Sequence, residues 1–163
     1  GYVRLHHRRR KLMSIARLAV VFGCAALACG SGPTTGALEP SEEAAKTAAA
    51  SWLALVDRGS YEESWHKASE AFRLNMARFG KSVGFWVKSL ETSRKPLGDI
   101  DARTVTRTAE AKGMPGASED GRYLELMYES RFEEAETMTE TLVMTLDGDG
   151  VWRMFNYVIH AGN

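Results

Sequence analysis

The period of the hydrophobic pattern changes at Gly98, and no other feature constrains the fold of this chain as strongly. From Ser41 to Arg94, apolar residues recur every three or four positions, which is typical of helices with one buried face. After Gly98, apolar and polar residues alternate, which is typical of strands with one buried face. A helical half followed by a strand half predicts an α+β domain, in which three N-terminal helices pack on a bent four-stranded antiparallel sheet.

Glycine and proline divide the helical half into three segments. The predicted helices run over residues 41–59, 60–80 and 82–94. Ser41 can cap the first helix, with two glutamates in its first turn. The second helix opens with "SYEE", which has the spacing of a capping box, and Pro96 stops the third.

The strand half contains four alternating segments. They are residues 99–111, 122–132, 137–146 and 151–160. The stretch "DGDG" at 147–150 joins the last two as a hairpin turn. The last segment is apolar on both faces, which predicts a central or covered strand. A strongly bent sheet over helices would resemble the cone-shaped folds related to nuclear transport factor 2.

An uncharged apolar run of eleven residues, 18–28, lies directly before Cys29. It is shorter than the roughly 20 residues of a spanning helix and fits the roughly 7–15 of a signal-peptide core. With arginines before it and a small residue and Cys at its end, it resembles a bacterial lipoprotein signal. Cys29 in "ALAC" is then the lipid anchor. Cys24 in "VFGC" is a second candidate, and ordinary export with cleavage near "ALA" is the simpler alternative.

These features predict the organisation of the chain. Residues 1–28 are a signal peptide region, within which Met13 can be the true start, because a complete short signal begins there. Residues 29–40 are a flexible linker rich in Gly, Ser, Thr and Pro. Residues 41–160 form a single α+β domain.

Removal of the signal region changes the charge of the chain. Residues 1–28 hold six of the 21 Lys and Arg residues and none of the 21 Asp and Glu residues, so 15 cations face 21 anions and the net charge is −6. Such a charge argues against nucleic acid as a partner and against a polybasic membrane patch. Contact with the lipid bilayer is expected through Cys29 instead.

A set of aromatic and polar residues, spread over most of the domain, carries a family resemblance. The set comprises Trp52, Asp57, Tyr61, Ser64, Trp65, Ser69, Phe72, Trp86, "RKPLGDIDAR" (94–103), Tyr128, Phe132, Glu140, "DGDGVWR" (147–153) and Tyr157. In order and spacing, it resembles the bacterial domain-of-unknown-function family 4019. The resemblance implies secreted or lipid-anchored proteins and brings no assigned activity. The stretch "FNYV" departs from the pattern, in which Gly is expected before the Tyr.

Motifs for catalysis or metal binding are weak in this sequence. His66, Ser69 and Asp57 can be written as a triad, but helix geometry makes it a poor one. "DGDG" shares part of a calcium loop but lacks the rest of the pattern and its closing Glu. We therefore expect no catalytic residue, no metal and no cofactor.

The many aromatic residues are expected to form the core, or in part to line a cavity between helices and sheet. The polar residues expected at such a pocket are Asp57, Tyr61, Arg94 and Arg103. The alternative is that Asp57 pairs with one of the arginines as a structural clamp.

These observations predict an exported, lipid-anchored envelope domain that binds a partner protein or a small apolar ligand without catalysing a reaction. The alternative is a small-pocket enzyme, such as a proton-transfer isomerase that uses Tyr61 and Asp57. The position of these two side chains separates the alternatives. Exposure to a pocket favours the enzyme, and engagement in helix contacts favours the binding domain.

Overall fold

The computed structural model describes residues 40–162, which form four helices and a four-stranded antiparallel sheet of order β1-β2-β3-β4. The elements are α1 (Glu42–Asp57), α2 (Tyr61–Lys67), α3 (Glu70–Arg78), α4 (Val83–Ser93), a 3-10 turn (Lys95–Leu97), β1 (Ile100–Glu110), β2 (Tyr123–Phe132), β3 (Ala135–Leu146) and β4 (Trp152–Ala161). The α+β class is confirmed, and the sheet is open. The predicted signal region and the linker up to residue 39 lie outside the described residues. None of the described helices is both long enough and apolar enough to span a membrane.

The first helix starts and stops as the sequence predicts. The Ser41 side chain accepts a hydrogen bond from the Ala44 amide at 3.1 Å, so one free amide of the first turn is satisfied. Glu42 and Glu43 lie in that turn, where the helix dipole favours negative charge. The chain then leaves the helix through Gly59, whose φ is 77°.

The predicted second helix is two helices, so the structure has four helices where periodicity predicted three. The chain becomes extended at Ala68, and the Ser69 amide donates to the Met154 carbonyl on β4 at 2.8 Å. Ser69 then caps α3 by accepting from the Phe72 amide at 3.1 Å. The capping box expected at "SYEE" does not form, because the Ser60 hydroxyl accepts from Arg58 instead.

The last strand, β4, was predicted to be central or covered; it lies at the edge of the sheet, so the central alternative is wrong. Its second apolar face is nevertheless covered. Phe155 packs with Tyr123 and Val143 beneath the loop that joins β1 to β2. The pairing of β3 with β4 shifts by one residue between Val143 and Met144, and this bulge turns Phe155 towards that loop.

The space between the helices and the sheet is filled by aromatic side chains in edge-to-face contact. The ring centroids of Trp65 and Phe72 are 5.4 Å apart, those of Phe72 and Trp86 are 5.2 Å apart, and those of Trp52 and Tyr157 are 5.3 Å apart. All five residues are buried. These five aromatic side chains therefore form a packed core.

Candidate functional site

Three of the four polar residues predicted at a pocket meet at the boundary between the helices and the sheet. Asp57 is the last residue of α1, Arg94 follows α4, and Arg103 lies on β1. The carboxylate of Asp57 accepts two hydrogen bonds from Arg103, at 2.7 and 2.9 Å, and one from Arg94, at 3.1 Å. Asp57 therefore pairs with both arginines as a structural clamp.

The network continues into the sheet through Glu140, which is fully buried on β3. Its carboxylate accepts from the Arg103 Nε at 2.6 Å and from the Tyr157 hydroxyl at 2.6 Å. The Ser130 hydroxyl also donates to it. Each of the four strands thus contributes one side chain, and Asp57 connects them all to the helices.

Electrostatics explains why charged groups are tolerated at this depth. Two arginines and two carboxylates balance, and each carboxylate accepts several hydrogen bonds, which offsets the cost of removing it from water. Burial alone would lower the pKa of Arg103, but its hydrogen bonds to Asp57 and Glu140 outweigh burial and hold this pKa above its usual value. Burial and the negative charge of Glu140 raise the pKa of Tyr157 well above 10.

Arg94 is buried, with only 2% of its surface exposed, and its guanidinium makes several contacts. Its guanidinium lies over the ring of Phe132, with 4.3 Å from Cζ to the ring centroid, and donates to the Gly98 carbonyl at 2.7 Å. Within the described residues its Nε has no hydrogen-bond partner. Arg94 is therefore fixed as part of the fold.

Three of the four selected residues, Asp57, Tyr61 and Arg94, line an open cleft of about 490 Å³. Arg103 does not line it and lies behind Asp57. Tyr61 is 8% exposed, and its pKa is raised, mainly by burial. The remaining charged residues of the cleft are Arg58, Glu62, Glu63, Glu91, Lys95 and Asp99. Five carboxylates and three cations line the cleft in all, so it is polar and carries a net negative charge.

Glu140 was not selected as a site residue from the sequence, although a signal was present. It shares its strand face with Met138, Leu142, Met144 and Leu146, which the alternation places towards the core. A carboxylate on the buried face of a strand needs an ion-pair or hydrogen-bond partner. That partner, Arg103, lies 37 residues away, so local spacing gives no indication of it.

The triad drawn from His66, Ser69 and Asp57 does not assemble. His66 is exposed and lies 3.8 Å from Glu62, Ser69 caps α3, and Asp57 is held by two arginines. None of these contacts joins the three residues.

The "DGDG" stretch forms the predicted turn between β3 and β4. Both of its carboxylates pair with Arg153, Asp147 at 2.9 Å and Asp149 at 2.8 Å. The hairpin reading of this stretch is therefore the one the structure supports.

The fold and the site define a small α+β domain with a filled aromatic core, a buried ion network and a polar cleft above it. The sequence model of a family described as "Protein of unknown function (DUF4019)" matches residues 48–157, and the chain belongs to this family. The resemblance stated from the sequence is thereby confirmed. Comparison with curated proteins and with solved structures gives no significant match.

Proposed function

We propose that this chain is an exported, lipid-anchored domain of the bacterial cell envelope that binds a partner protein at the cleft of Asp57, Tyr61 and Arg94. The observation that carries the binding role is the pairing of Asp57. Its carboxylate accepts three hydrogen bonds from Arg94 and Arg103, so it forms the floor of a preorganised surface.

A proton-transfer isomerase built on Tyr61 and Asp57 is the alternative, and it is favoured by the position of both residues on the cleft. A general base must accept a proton from its substrate. Proton uptake would remove the negative charge of Asp57 that pairs with two arginines, and this opposes such a role. The raised pKa of Tyr61 keeps its hydroxyl neutral at ordinary pH, which suits hydrogen bonding better than proton abstraction.

The charge of the cleft indicates the kind of partner. Glu62, Glu63, Glu91 and Asp99 outnumber Arg58 and Lys95 around its walls. Opposite charges at an interface guide association and exclude wrong partners. We therefore propose a partner whose contacting segment carries Lys or Arg.

This proposal is tested by affinity capture of proteins from an envelope extract of the bacterium that encodes this chain. The parent chain should retain a partner that Glu62→Lys and Glu91→Lys lose, and rising salt should weaken the capture. Glu129→Lys is the matched control, because Glu129 is exposed on β2 away from the cleft. Equal capture by all four proteins would exclude the cleft as the binding surface.

A small apolar ligand is a second candidate, and a different cleft favours it. Trp52, Met144 and Trp152 line an open cleft of about 420 Å³ with mainly apolar walls. Within the described residues, the buried Trp152 indole N–H has no hydrogen-bond partner. An apolar dye, phenylnaphthylamine, should bind with enhanced fluorescence that Ala48→Trp abolishes by filling the cleft. Fluorescence that Ala48→Trp leaves unchanged would argue against this site.

Anchoring is tested separately. The chain is expressed from Met13 in a bacterium and labelled with a fatty-acid analogue. Label should persist in Cys24→Ser and disappear in Cys29→Ser. The reverse result would assign the anchor to Cys24, and absence of label from the parent would exclude anchoring.

A further inference from the structure

Positively and negatively charged residues are unevenly distributed along this chain, and the net charge does not show this. Residues 71–90 contain Arg73, Arg78, Lys81 and Lys88 and no Asp or Glu, whereas the chain without its first 28 residues has a net charge of −6. This stretch spans most of α3, the turn after it and most of α4. One part of an acidic protein is therefore cationic.

Two aromatic side chains are exposed in the same stretch. Phe79, which ends α3, is 72% exposed, and Phe85, in the first turn of α4, is 46% exposed. The Lys81 ammonium lies 4.7 Å from the centre of the Phe85 ring. We name Arg78, Phe79, Lys81, Phe85 and Lys88 the α3–α4 tip.

The backbone of the tip is well defined. The Gly80 amide bonds the Ala77 carbonyl at 2.9 Å and the Lys81 amide bonds the Met76 carbonyl at 3.0 Å, which together form a Schellman motif. Gly80 adopts a φ of 68°, and a Cβ built on it would meet no atom within 4 Å. Gly80 therefore borders open space, and backbone hydrogen bonds fix the turn that follows the exposed Phe79.

The cations of the tip are available to a ligand. The ion pairs found among residues 40–162 involve neither Arg78 nor Lys81. Lys88 reaches Glu91 only at 4.0 Å, with 79% of its side chain exposed. Such a pair is weak in water.

We propose that the α3–α4 tip is a membrane contact that inserts Phe79 and Phe85 into the headgroup region of an anionic bilayer. Lys and Arg are attracted to anionic lipid, and exposed aromatic rings are stabilised at the boundary between headgroups and acyl chains. The tip combines both features on a rigid turn. This contact is separate from the Cys29 anchor and from the polar cleft, and it would fix how an anchored domain is oriented on the bilayer.

The test uses the full chain with Cys24→Ser and Cys29→Ser, so that neither a lipid anchor nor a native thiol interferes. A polarity-sensitive fluorophore is attached at Ser82→Cys, which lies within the tip and leaves its five residues intact. The matched control carries the fluorophore at Val158→Cys, since Val158 is 46% exposed on β4. Any binding through the N-terminal segment affects both proteins, whereas insertion of the tip affects only the first.

Vesicles containing phosphatidylglycerol should increase and blue-shift the emission at residue 82 and leave residue 158 unchanged. Lipids with a quencher in the upper acyl chain should quench only the label at residue 82. Phe79→Ser with Phe85→Ser should weaken the response at least about ten-fold, as expected for two partly inserted rings. Arg78→Gln with Lys81→Gln should weaken it roughly 25-fold, at about five-fold for each charge. Phosphatidylcholine vesicles should give little response.

Two outcomes would overturn the proposal. One is that the chain sediments with anionic vesicles while the label at residue 82 stays in water. The other is that Phe79→Ser with Phe85→Ser leaves the vesicle response unchanged while an oligonucleotide competes for it, because the tip would then be a general polyanion site. Since both rings are exposed, the serine variants should keep the circular dichroism spectrum and melting temperature of the parent.

Discussion

Each charged side chain in the buried network has an oppositely charged hydrogen-bond partner. Glu140 is fully buried and accepts hydrogen bonds from Arg103, Ser130 and Tyr157. Removal of one member leaves its partner charged and without compensation, which typically costs about 3–5 kcal/mol for a buried pair. The network also connects the end of α1 and the residue after α4 to the sheet.

Tyr157→Phe tests the network through its pH dependence. At neutral pH the variant should lose about 1–3 kcal/mol, because Glu140 loses a buried hydrogen bond. Folding raises the pKa of Tyr157 above 10, so its contribution is complete below pH 10 and is lost as the pH rises further. The difference in unfolding free energy between parent and variant should therefore stay constant up to about pH 10 and shrink as the pH rises above it. A difference that also stays constant above that pH would contradict the burial of the Tyr157 hydroxyl.

At the scale of elements, the break between α2 and α3 determines how the helices sit on β4. Ser69 has two roles there. Its amide bonds the Met154 carbonyl of the edge strand, and its hydroxyl caps α3. The edge strand thus gains a partner for one of its outward carbonyls, and Phe72 is directed into the core.

Ser69→Ala should lower the free energy of unfolding by about 0.5–2 kcal/mol, because the Phe72 amide loses its cap. Ser82→Ala is the control, since Ser82 precedes α4 but makes no capping hydrogen bond with its side chain. It should change the free energy by less than about 0.5 kcal/mol. Urea denaturation of both variants measures the difference, and equal losses would contradict the assigned cap.

At the scale of the whole molecule, one aromatic core joins the four helices of residues 40–162 to the sheet. Trp65 is 8% exposed and contacts Phe72, which in turn contacts Trp86. The indole groups of Trp52 and Trp86 both donate to Ser64, one to its carbonyl and one to its hydroxyl. Loss of one ring should therefore disturb the packing of several helices.

Trp65→Ala should cost about 3–5 kcal/mol, a large part of the roughly 5–15 kcal/mol of a domain. The variant should melt far below the parent or fail to fold. Phe79→Ala is the control, because Phe79 is 72% exposed, and its melting temperature should stay close to that of the parent. A Trp65→Ala protein that melts within a degree or two of the parent would show that Trp65 does not support the core.

The absence of a metal requirement and of nucleic-acid binding stays a prediction for the domain as a whole. Asp147 and Asp149 are engaged by Arg153, and its hydrogen bonds lower the pKa of Asp149 to about 2. Calcium or a chelator should therefore leave the melting curve unchanged, and a labelled oligonucleotide should show no salt-dependent binding at micromolar protein. A clear upward shift with calcium would make these carboxylates ligands.

The sequence by itself determined the features that depend on neighbours along the chain. Periodicity located the elements and the change of class at Gly98, and local chemistry explained the cap at Ser41 and the turn at "DGDG". Sequence also singled out Asp57, Arg94 and Arg103, which the structure brings together, as polar residues expected at a ligand pocket. That reasoning could not choose between a ligand and another side chain as the partner.

Only the tertiary structure decided which partner each group found. Arg103 lies 46 residues from Asp57 and 37 from Glu140, and such pairs form only when the sheet is assembled under the helices. For the same reason, periodicity could not reveal the break at Ser69, since the Met154 carbonyl that stabilises it belongs to the last strand. The edge position of β4 likewise depends on strand order, and the loop that covers Phe155 makes an edge strand look central in its sequence. The local sequence pattern indicates that a buried polar group needs a partner, whereas the fold determines which distant residue is that partner.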